Sequence, residues 1–397
     1  MEGIKVVDFS MGVAGPHAGM LLAQHGADVI KIEPIEGDWG RTLGEIYGDL
    51  SAHAFVFHRG KRSVALDLKR REGRELARSI TEKADVVIEA FRPGVMQRLG
   101  LDFESLRATN PQLVYLSLSG YGQEGPRKGL PATDAVIQAY SGLMHLNRDR
   151  EGVPQRISMI IVDVLSGVYA FQAISTALLR RFRFDTGAYI DCSLVQCAYA
   201  LQSAKIIEDF LQKGVHVPLY APLGVMPTRD GYLAISVMRD EHFVSLCEAI
   251  GRPELARSPL YDTRPKRVER ESELISLLRL EFVNRTSAEW CSVLERAGVL
   301  HSKVRTYAEN LQDDATEVLR NFDWIGQDGL PETVPLARIP GAPDARDRPP
   351  GSNHCPHIGE HTVEVLLQAG IEPSRIEQLI AERVVSVPDS NPTARNP

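Results

Sequence analysis

The chain has 397 residues, too many for one ordinary hydrophobic core, so two domains are expected. Hydrophobic residues make up 43% and charged residues 24%, the balance of a globular protein and not of a disordered or fibrous one. The formal net charge of −7 argues against a nucleic-acid binder, although a local cluster of cations can still hold an anionic ligand.

Residues 3–9 read as a strand, GIKVVDF, with no signal-peptide pattern ahead of it. Gly12, Gly15 and Pro16 make a loop, His17 to His25 carries helical spacing, Gly26 stops the helix, and ADVIKIE is a second strand. This is a β-α-β unit, which opens a parallel sheet with a helical crossover. KRSVALDLK then reads as a strand, REGRELARSITEKA as an amphipathic helix and DVVIEAF as a strand. FRPGVMQRLGL turns into a short helix, residues 103–109 are helical, and LVYLSLSGYG is a strand. The alternation is α/β, with a mostly parallel sheet. DAVIQAYSGLM is a helix, RISMII is extended, and Asp163 begins a long helix to about Arg181. DTGAYIDCSLVQCAYALQSAKIIEDFLQ is a strand or turn followed by a near-continuously apolar helix of the buried kind.

The character changes near residue 214. GVHVPLYAPLGVMPTRDGYLAISV carries turn signals and a hairpin-like Asp-Gly at 230–231. Charged helices follow, one of them with a cap expected at Ser287, and residues 222–320 form a smaller α+β domain flanked by linkers at 206–221 and 321–324. A Pro/Gly-rich stretch, two terminal helices and a frayed PDSNPTARNP tail end the sequence. No apolar run approaches about 18 residues, so no membrane span is expected.

Asp163 sits in the apolar stretch RISMIIVDVLSGVYA. An unpaired charge buried there would be costly, so it must be solvated, paired, protonated or used. It reads either as the N-cap of its helix or as a catalytic carboxylate. Asp134 is likewise a helix N-cap by spacing, and two acids 29 residues apart at helix starts could share one site. Gly120, Gly122 and Gly125 match GxGxxG after a strand, but Pro126, Gly129 and Pro131 prevent the helix a dinucleotide site needs, so a tight loop is expected. No GxxxxGK[ST] loop and no GxSxG elbow are present. Cys192, Cys197, Cys247, Cys291 and Cys355 form no CxxC or ligand set, which suits a reducing cytoplasm. Cys355 lies between His354 and His357 with no second ligand cluster, so no metal is expected. Arg41, Lys61, Arg62, Lys69, Arg92 and Arg98 fall in loops or near strand ends, where convergent cations suit phosphates or are simply solvated.

These blocks together resemble the class III CoA-transferases, the group of the formyl-CoA and carnitinyl-CoA transferases. The resemblance rests on VVDFSMGVAGPHAGMLLAQHGADVIKIEP, RGKRSVALDLKRREGRE, EAFRPGVMQRLGLDFESLRATNPQLVYLSLSGYGQEGP, DAVIQAYSGLM, the Asp163 segment and IGEHTVEVLLQAGI, in that order over most of the chain. It implies a Rossmann-like, discontinuous large domain from residues 1–205 and 325–397, and a homodimer of interlocked ring-like subunits. It implies that Asp163 is the nucleophile, passing through aspartyl-acyl anhydride and aspartyl-CoA thioester, and that Asp134 lies close to it. It implies that Arg41, Leu66, Lys69, Ala90, Phe91, Arg92 and Arg98 line the CoA nucleotide, with Val13 and Ala14 near the thioester. Acyl-CoA and a free carboxylic acid are then the substrates, with no permanently bound cofactor, nucleic acid or membrane partner.

Two departures matter. Acyl-CoA racemases of the same fold place a His immediately before the acid at 134, and here that residue is Thr133, which removes one proton-transfer group. Some transferases carry a glycine-run loop over the site, and residues 222–245 contain no such run. Transfer is therefore the leading reading. Racemisation and CoA binding without turnover are the competitors.

Overall fold

The computed structural model describes residues 1–149, 151–215, 217–312, 321–344, 347–349 and 351–388. All but Pro388 of the expected frayed tail, and the last eight residues of the expected small domain (313–320), lie outside the described residues. The chain divides into two compact units, Met1–Ser203 with Leu319–Pro397, and Ala204–Val318.

The first unit is built on a seven-stranded sheet. Its strands are β1 (Lys5–Asp8), β2 (Asp28–Glu33), β5 (Arg62–Leu66), β6 (Val86–Glu89), β7 (Val114–Ser119), β8 (Ala188–Ser193) and β14 (Val385–Ser386). Two short antiparallel pairs lie outside it: β3 (Ile46–Tyr47) with β4 (Leu50–Ser51), and β12 (Phe322–Ile325) with β13 (Val334–Ala337). The sheet order is β14-β5-β2-β1-β6-β7-β8, parallel throughout except at β14, so the expected mostly parallel α/β sheet is present. The chain runs outward from β1 in one direction and then restarts at β6 in the other. The carboxyl ends of β1 and β6 therefore flank a topological switch point, where open α/β sheets bind ligands.

Helices in this unit are α1 (Ala14–Gln24), α2 (Ala52–His58), α3 (Arg71–Thr81), α4 (Val95–Leu99), α5 (Phe103–Arg107), α6 (Asp134–Tyr140), α7 (Leu143–Leu146), α8 (Ile161–Phe184) and the start of α9 (Leu194–Gln212). One apolar cluster joins α1, α6, α8 and α9 to one face of the sheet, around Ala18, Leu22, Ile137, Val162 and Ile174. The other face is covered by Leu76, Ile80, Leu101, Leu106, Leu366 and Leu379. These come from α3, the α4–α5 connection, α5 and two C-terminal helices.

The second unit holds the antiparallel sheet β11-β10-β9, from β9 (Leu223–Thr228), β10 (Gly231–Ser236) and β11 (Leu300–Lys303). Around it lie α10 (Asp240–Ala249), α11 (Pro253–Arg257), α12 (Arg264–Glu269), α13 (Glu271–Phe282), α14 (Ser287–Arg296) and α15 (Tyr307–Leu311). The two C-terminal helices of the first unit are α16 (Thr362–Gln368) and α17 (Pro373–Ala381).

Four expectations change. The cap of α14 is Thr286, not Ser287, because Thr286 and Glu289 form a reciprocal capping box. RISMII is not a strand; it runs without ladder partners into α8. Helix α9 is not buried within the chain, since Ile207, Phe210 and Leu211 are exposed and only Leu194, Cys197, Ala198 and Gln202 are covered. Helix α8 is long and apolar enough, by length and composition, to cross a membrane, contrary to the sequence expectation. Here one face lies along α1, and Arg181 near its end pairs with Asp85 at 2.9 Å.

Central parallel strands ordinarily carry apolar side chains on both faces. This sheet departs from that at the carboxyl ends of β1 and β2, where Asp8, Lys31 and Glu33 are fully or almost fully buried. Each charge is matched. Lys61 Nζ donates to Asp8 Oδ2 at 2.8 Å and to the Pro16 carbonyl at 2.7 Å. Lys31 pairs with Asp38 at 3.0 Å and donates to the Ser10 carbonyl. Arg41 is bidentate to Glu33 at 2.9 and 2.8 Å, and Ser63 donates to the same carboxylate at 2.6 Å. Asp38 Oδ1 accepts from the Gly12 amide at 2.8 Å. Burial pushes the Asp8 carboxyl up, but Lys61 and Lys31 outweigh it and hold it below the ordinary carboxylate value. The network grips the β1–α1 loop at the backbone of Ser10 and Gly12 and the first turn of α1 at the Pro16 carbonyl.

Removing one partner of a buried pair leaves an uncompensated charge. Lys61→Met is expected to lower unfolding stability by roughly 3–5 kcal/mol, with Asp8→Asn added to it restoring part of the loss. Urea unfolding of the single and double variants checks this. A loss under about 1 kcal/mol in the single variant contradicts the role given to the pair.

Candidate active site

Asp163 lies in the first turn of α8, but it is not the cap. The N-cap is Ile160, which has no side chain able to serve, and Asp163 is the third helical residue. Asp134 is not a cap either. Thr133 holds that position and Asp134 is the first residue of α6. The structure joins the two expectations in another way. The Asp134 carboxylate reaches across and caps the helix that carries Asp163. Its Oδ2 accepts from the Val162 amide at 2.7 Å and from the Asp163 amide at 3.3 Å. The two acids are therefore neighbours, as their spacing at helix starts allows.

Asp134 is 4% exposed and both of its oxygens are engaged, Oδ1 by Gln138 at 2.6 Å. The Asp163 carboxylate accepts no hydrogen bond among the described residues. Burial, with the Asp134 charge adding to it, pushes the Asp163 carboxyl up to about 7. At neutral pH it is thus poised between its two protonation states, a common condition for a group that does chemistry.

Helix α1 supplies the facing wall. His17 is 6% exposed and bonds the Val164 carbonyl through Nδ1 at 2.9 Å. Burial, with Lys61 and Arg59 adding to it, pushes the His17 imidazole down to about 4 despite that bond. The ring is neutral at pH 7, so Nδ1 carries the proton and donates. A Cβ on Gly167 would stand 2.6 Å from His17 Nδ1, so glycine is what lets α8 approach α1 this closely. His17 was not singled out in the sequence. Its only signal is its position in AGPHAGM, a run of small residues on a fully buried helix.

The remaining expected residues lie in or after the segments that follow the parallel strands β1, β2, β5 and β6, except Leu66, which ends β5. Val13 and Ala14 are buried at the start of α1, directly after β1. Ala90, Phe91 and Arg92 follow β6 on the other side of the switch point. Lys69 follows β5, and Arg98 lies in α4; both, like Arg92, are exposed. Leu66 is a core side chain, so only its backbone can meet a ligand. Arg41 differs from the solvated or ligand-facing cation its position suggested. It is 3% exposed, saturates Glu33 and donates to the Pro356 carbonyl at 3.0 Å. Next to Arg92 lies a cavity of about 300 Å³ bounded also by Glu89, Phe103, Tyr115 and Tyr189.

The other sequence features settle into structural roles. The GxGxxG segment is a loop with Gly122 and Gly125 at positive φ, and no helix opens after it. His354 contacts Glu360 at 2.9 Å, His357 contacts Asp49 at 2.7 Å, and the Cys355 thiol is buried against the Ala54 carbonyl. Among the described residues no group of three or more His, Cys, Asp or Glu is placed to hold a metal ion. Residues 222–245 take in the β9–β10 hairpin and the first six residues of α10.

The sequence model of the family described as CoA-transferase family III matches residues 1–362. The chain is 32% identical over 388 residues to a succinate–glutarate CoA-transferase of Agrobacterium fabrum, covering 93% of this chain and 95% of the relative. It is 35% identical over 359 residues to an acetyl-CoA:oxalate CoA-transferase of Acetobacter aceti, covering 88% and 91%. Among solved structures it resembles a CAIB/BAIF family protein from Brucella suis, with a TM-score of 0.82, 32% identity and coverage of 93% and 98%.

The raised value at Asp163 has a consequence for stability. Its charged form is disfavoured by the fold, since its value of about 7 lies above the ordinary 3.8. That penalty is absent below pH 4, grows between pH 4 and 7, and is complete above pH 7. Asp163→Asn is therefore expected to match the parent near pH 4 and to exceed it in thermal stability above pH 7. Melting curves at the two ends of this range check the sign, and equal stability at pH 8 contradicts it.

Proposed function

The chain belongs to CoA-transferase family III, and from that premise we propose that Asp163 is the nucleophile of a CoA transfer from an acyl-CoA to a free carboxylic acid. The observation that carries this reading is the Asp163 carboxylate itself: without a hydrogen-bond partner among the described residues, raised to about 7, and fixed at a helix start by a neighbouring acid. A carboxylate is a weak nucleophile in water, and partial desolvation with a fixed geometry makes it an effective one.

In this mechanism a carboxylate oxygen of Asp163 attacks the thioester carbonyl and CoA leaves as thiolate, which gives an aspartyl-acyl anhydride. The thiolate attacks the aspartyl carbonyl of the anhydride, releases the donor acid and leaves an aspartyl-CoA thioester. The acceptor carboxylate attacks that thioester, forms a second anhydride and frees the thiolate. The thiolate then attacks the acceptor's carbonyl, which regenerates Asp163 and yields the new acyl-CoA. The oxyanions need donors. The amides of Val162 and Asp163 are occupied by Asp134, so the N-terminus of α1 is the better source. No side chain caps it, and its first amides belong to Ala14 and Gly15. Lys69, Arg92 and Arg98 take the CoA phosphates and ribose, while Arg41 acts by holding Glu33 and the loop beside it.

The acceptors to test first are succinate, glutarate and oxalate, for which the Agrobacterium and Acetobacter relatives are named. Thr133, where a racemase would carry a His, supports transfer over racemisation. The exposed Leu179 and Phe182 of α8 form an apolar surface that a second copy of the chain would cover, which supports a homodimer. A one-chain mass on sedimentation counts against that. Five free cysteines suit the cytoplasm.

Acyl-CoA donors are to be mixed with the acid panel and the products resolved by mass spectrometry. CoA exchange that disappears in Asp163→Ala is the expected result. Exchange that survives in that variant overturns the assignment. So does solvent deuterium entering the donor's α-carbon with no acceptor present.

A further inference from the structure

Helix α8 receives Asp163 from an irregular segment whose first half, residues 151–155, is bonded back to Asn147 and Asp149. Residues 151–160 form no helix and no strand beyond one bridge between Arg148 and Pro154, and most of their side chains are exposed. Yet the segment must deliver Asp163 to a fixed place. The hold on its second half, residues 156–160, comes from Gln138, a fully buried residue one turn after Asp134 on α6.

Every polar atom of the Gln138 amide is spoken for. Its Oε1 accepts from the Ile157 amide at 3.0 Å. Its Nε2 donates to Asp134 Oδ1 at 2.6 Å and lies 3.3 Å from the carbonyls of both Ile157 and Met159. One side chain thus grips the segment by three backbone groups and the Asp134 carboxylate by one oxygen. With Oδ1 held by Gln138, the other oxygen, Oδ2, is turned onto the amides of Val162 and Asp163. Gln138, Asp134 and the first turn of α8 form one continuous relay. An apolar side chain at 138 would leave a buried Asp134 oxygen and the Ile157 amide without partners, a cost that movement of the segment would relieve.

We propose that Gln138 is a positioning residue for the transfer reaction, setting where the Asp163 carboxylate stands through Asp134 and the 157–159 backbone. The inference rests on the reading of Asp163 as nucleophile. It differs from ordinary core satisfaction in what it affects: the placement of one reacting group, not the CoA contacts at the ends of β1, β5 and β6.

The test uses the full chain, with Gln138→Met, which keeps the length and shape of the side chain, and Gln138→Glu, which keeps the acceptor for Ile157 but sets a carboxylate against Asp134. Transfer is followed with succinyl-CoA and glutarate, then with the rest of the panel. Deuterium uptake across residues 157–163 is followed by mass spectrometry. In both variants kcat should fall roughly tenfold to a hundredfold, the scale of a misplacement of about 1 Å, while KM for the acyl-CoA stays within about twofold. Uptake at 157–163 should rise while that of α1 stays unchanged.

Parental kcat and uptake in a folded Gln138→Met overturn the proposal, as does a KM rise as large as the kcat loss. Failure of both variants to fold also overturns it, because a positioning role leaves the core standing. Asp163→Ala run beside them separates the two readings. Activity in that variant sinks the nucleophile, and the exchange measurement still decides whether Gln138 holds the segment. An inactive Asp163→Ala beside a fully active Gln138→Met sinks only the positioning role.

Discussion

The bond from the Asp134 carboxylate to the first amides of α8 is the constraint on which the site depends. A helix start leaves amides without partners, and a negative charge beside them is favourable. Here that charge comes from another helix, so satisfying α8 also fixes α6 against it. The same charge lies close enough to Asp163 to help keep that carboxyl near 7. Asp134 thus bears on both the position of Asp163 and its charge state, adding to the larger effect of burial.

A second constraint works on the facing wall. The β1–α1 loop stands at the switch point of the sheet and must hold its shape without secondary structure of its own. The buried pairs around Asp8, Lys31, Glu33 and Asp38 hold it through backbone groups of Ser10 and Gly12, and hold the first turn of α1 through Pro16. Burying so many charges is weak evidence for stability, since desolvation offsets much of the attraction. What the network supplies here is placement, since Lys31 and Asp38 bond backbone groups of the loop and Lys61 one in the first turn of α1. His17 then carries the order of α1 onto α8 through the Val164 carbonyl, at a separation that Gly167 alone permits. Asp163 is therefore framed from both sides.

Much of this was legible in the sequence, for reasons that can be named. The strands at 5–8, 28–33, 86–89 and 114–119 are short apolar runs between helical periods, which is the signature of a parallel sheet. Asp163 stood out because a carboxylate in an apolar stretch requires an explanation. Other features failed where the answer depends on distant neighbours. Asp134 and Asp163 each look like the cap of their own helix, and only the fold shows one acid capping the other's. Arg41 reads as a free cation because nothing local says that Glu33 will be buried with it. Gln138 carries a faint signal, a Gln four residues after an Asp on one helix face, but the backbone it grips lies nineteen residues on at Ile157. The apolar run of α9 reads as core, because periodicity does not distinguish an apolar face that meets its own chain from one that meets another surface.

The covalent step through Asp163 is the centre of the account, and trapping it is the most direct measurement. The protein is mixed with an acyl-CoA and quenched with hydroxylamine, which converts an aspartyl thioester or anhydride into a hydroxamate, and the peptides are mapped by mass spectrometry. The expected result is a hydroxamate at Asp163 that requires the acyl-CoA and is missing when Asp163 is replaced by Asn. Active enzyme that yields no adduct at Asp163, or that carries the adduct on another residue, contradicts it.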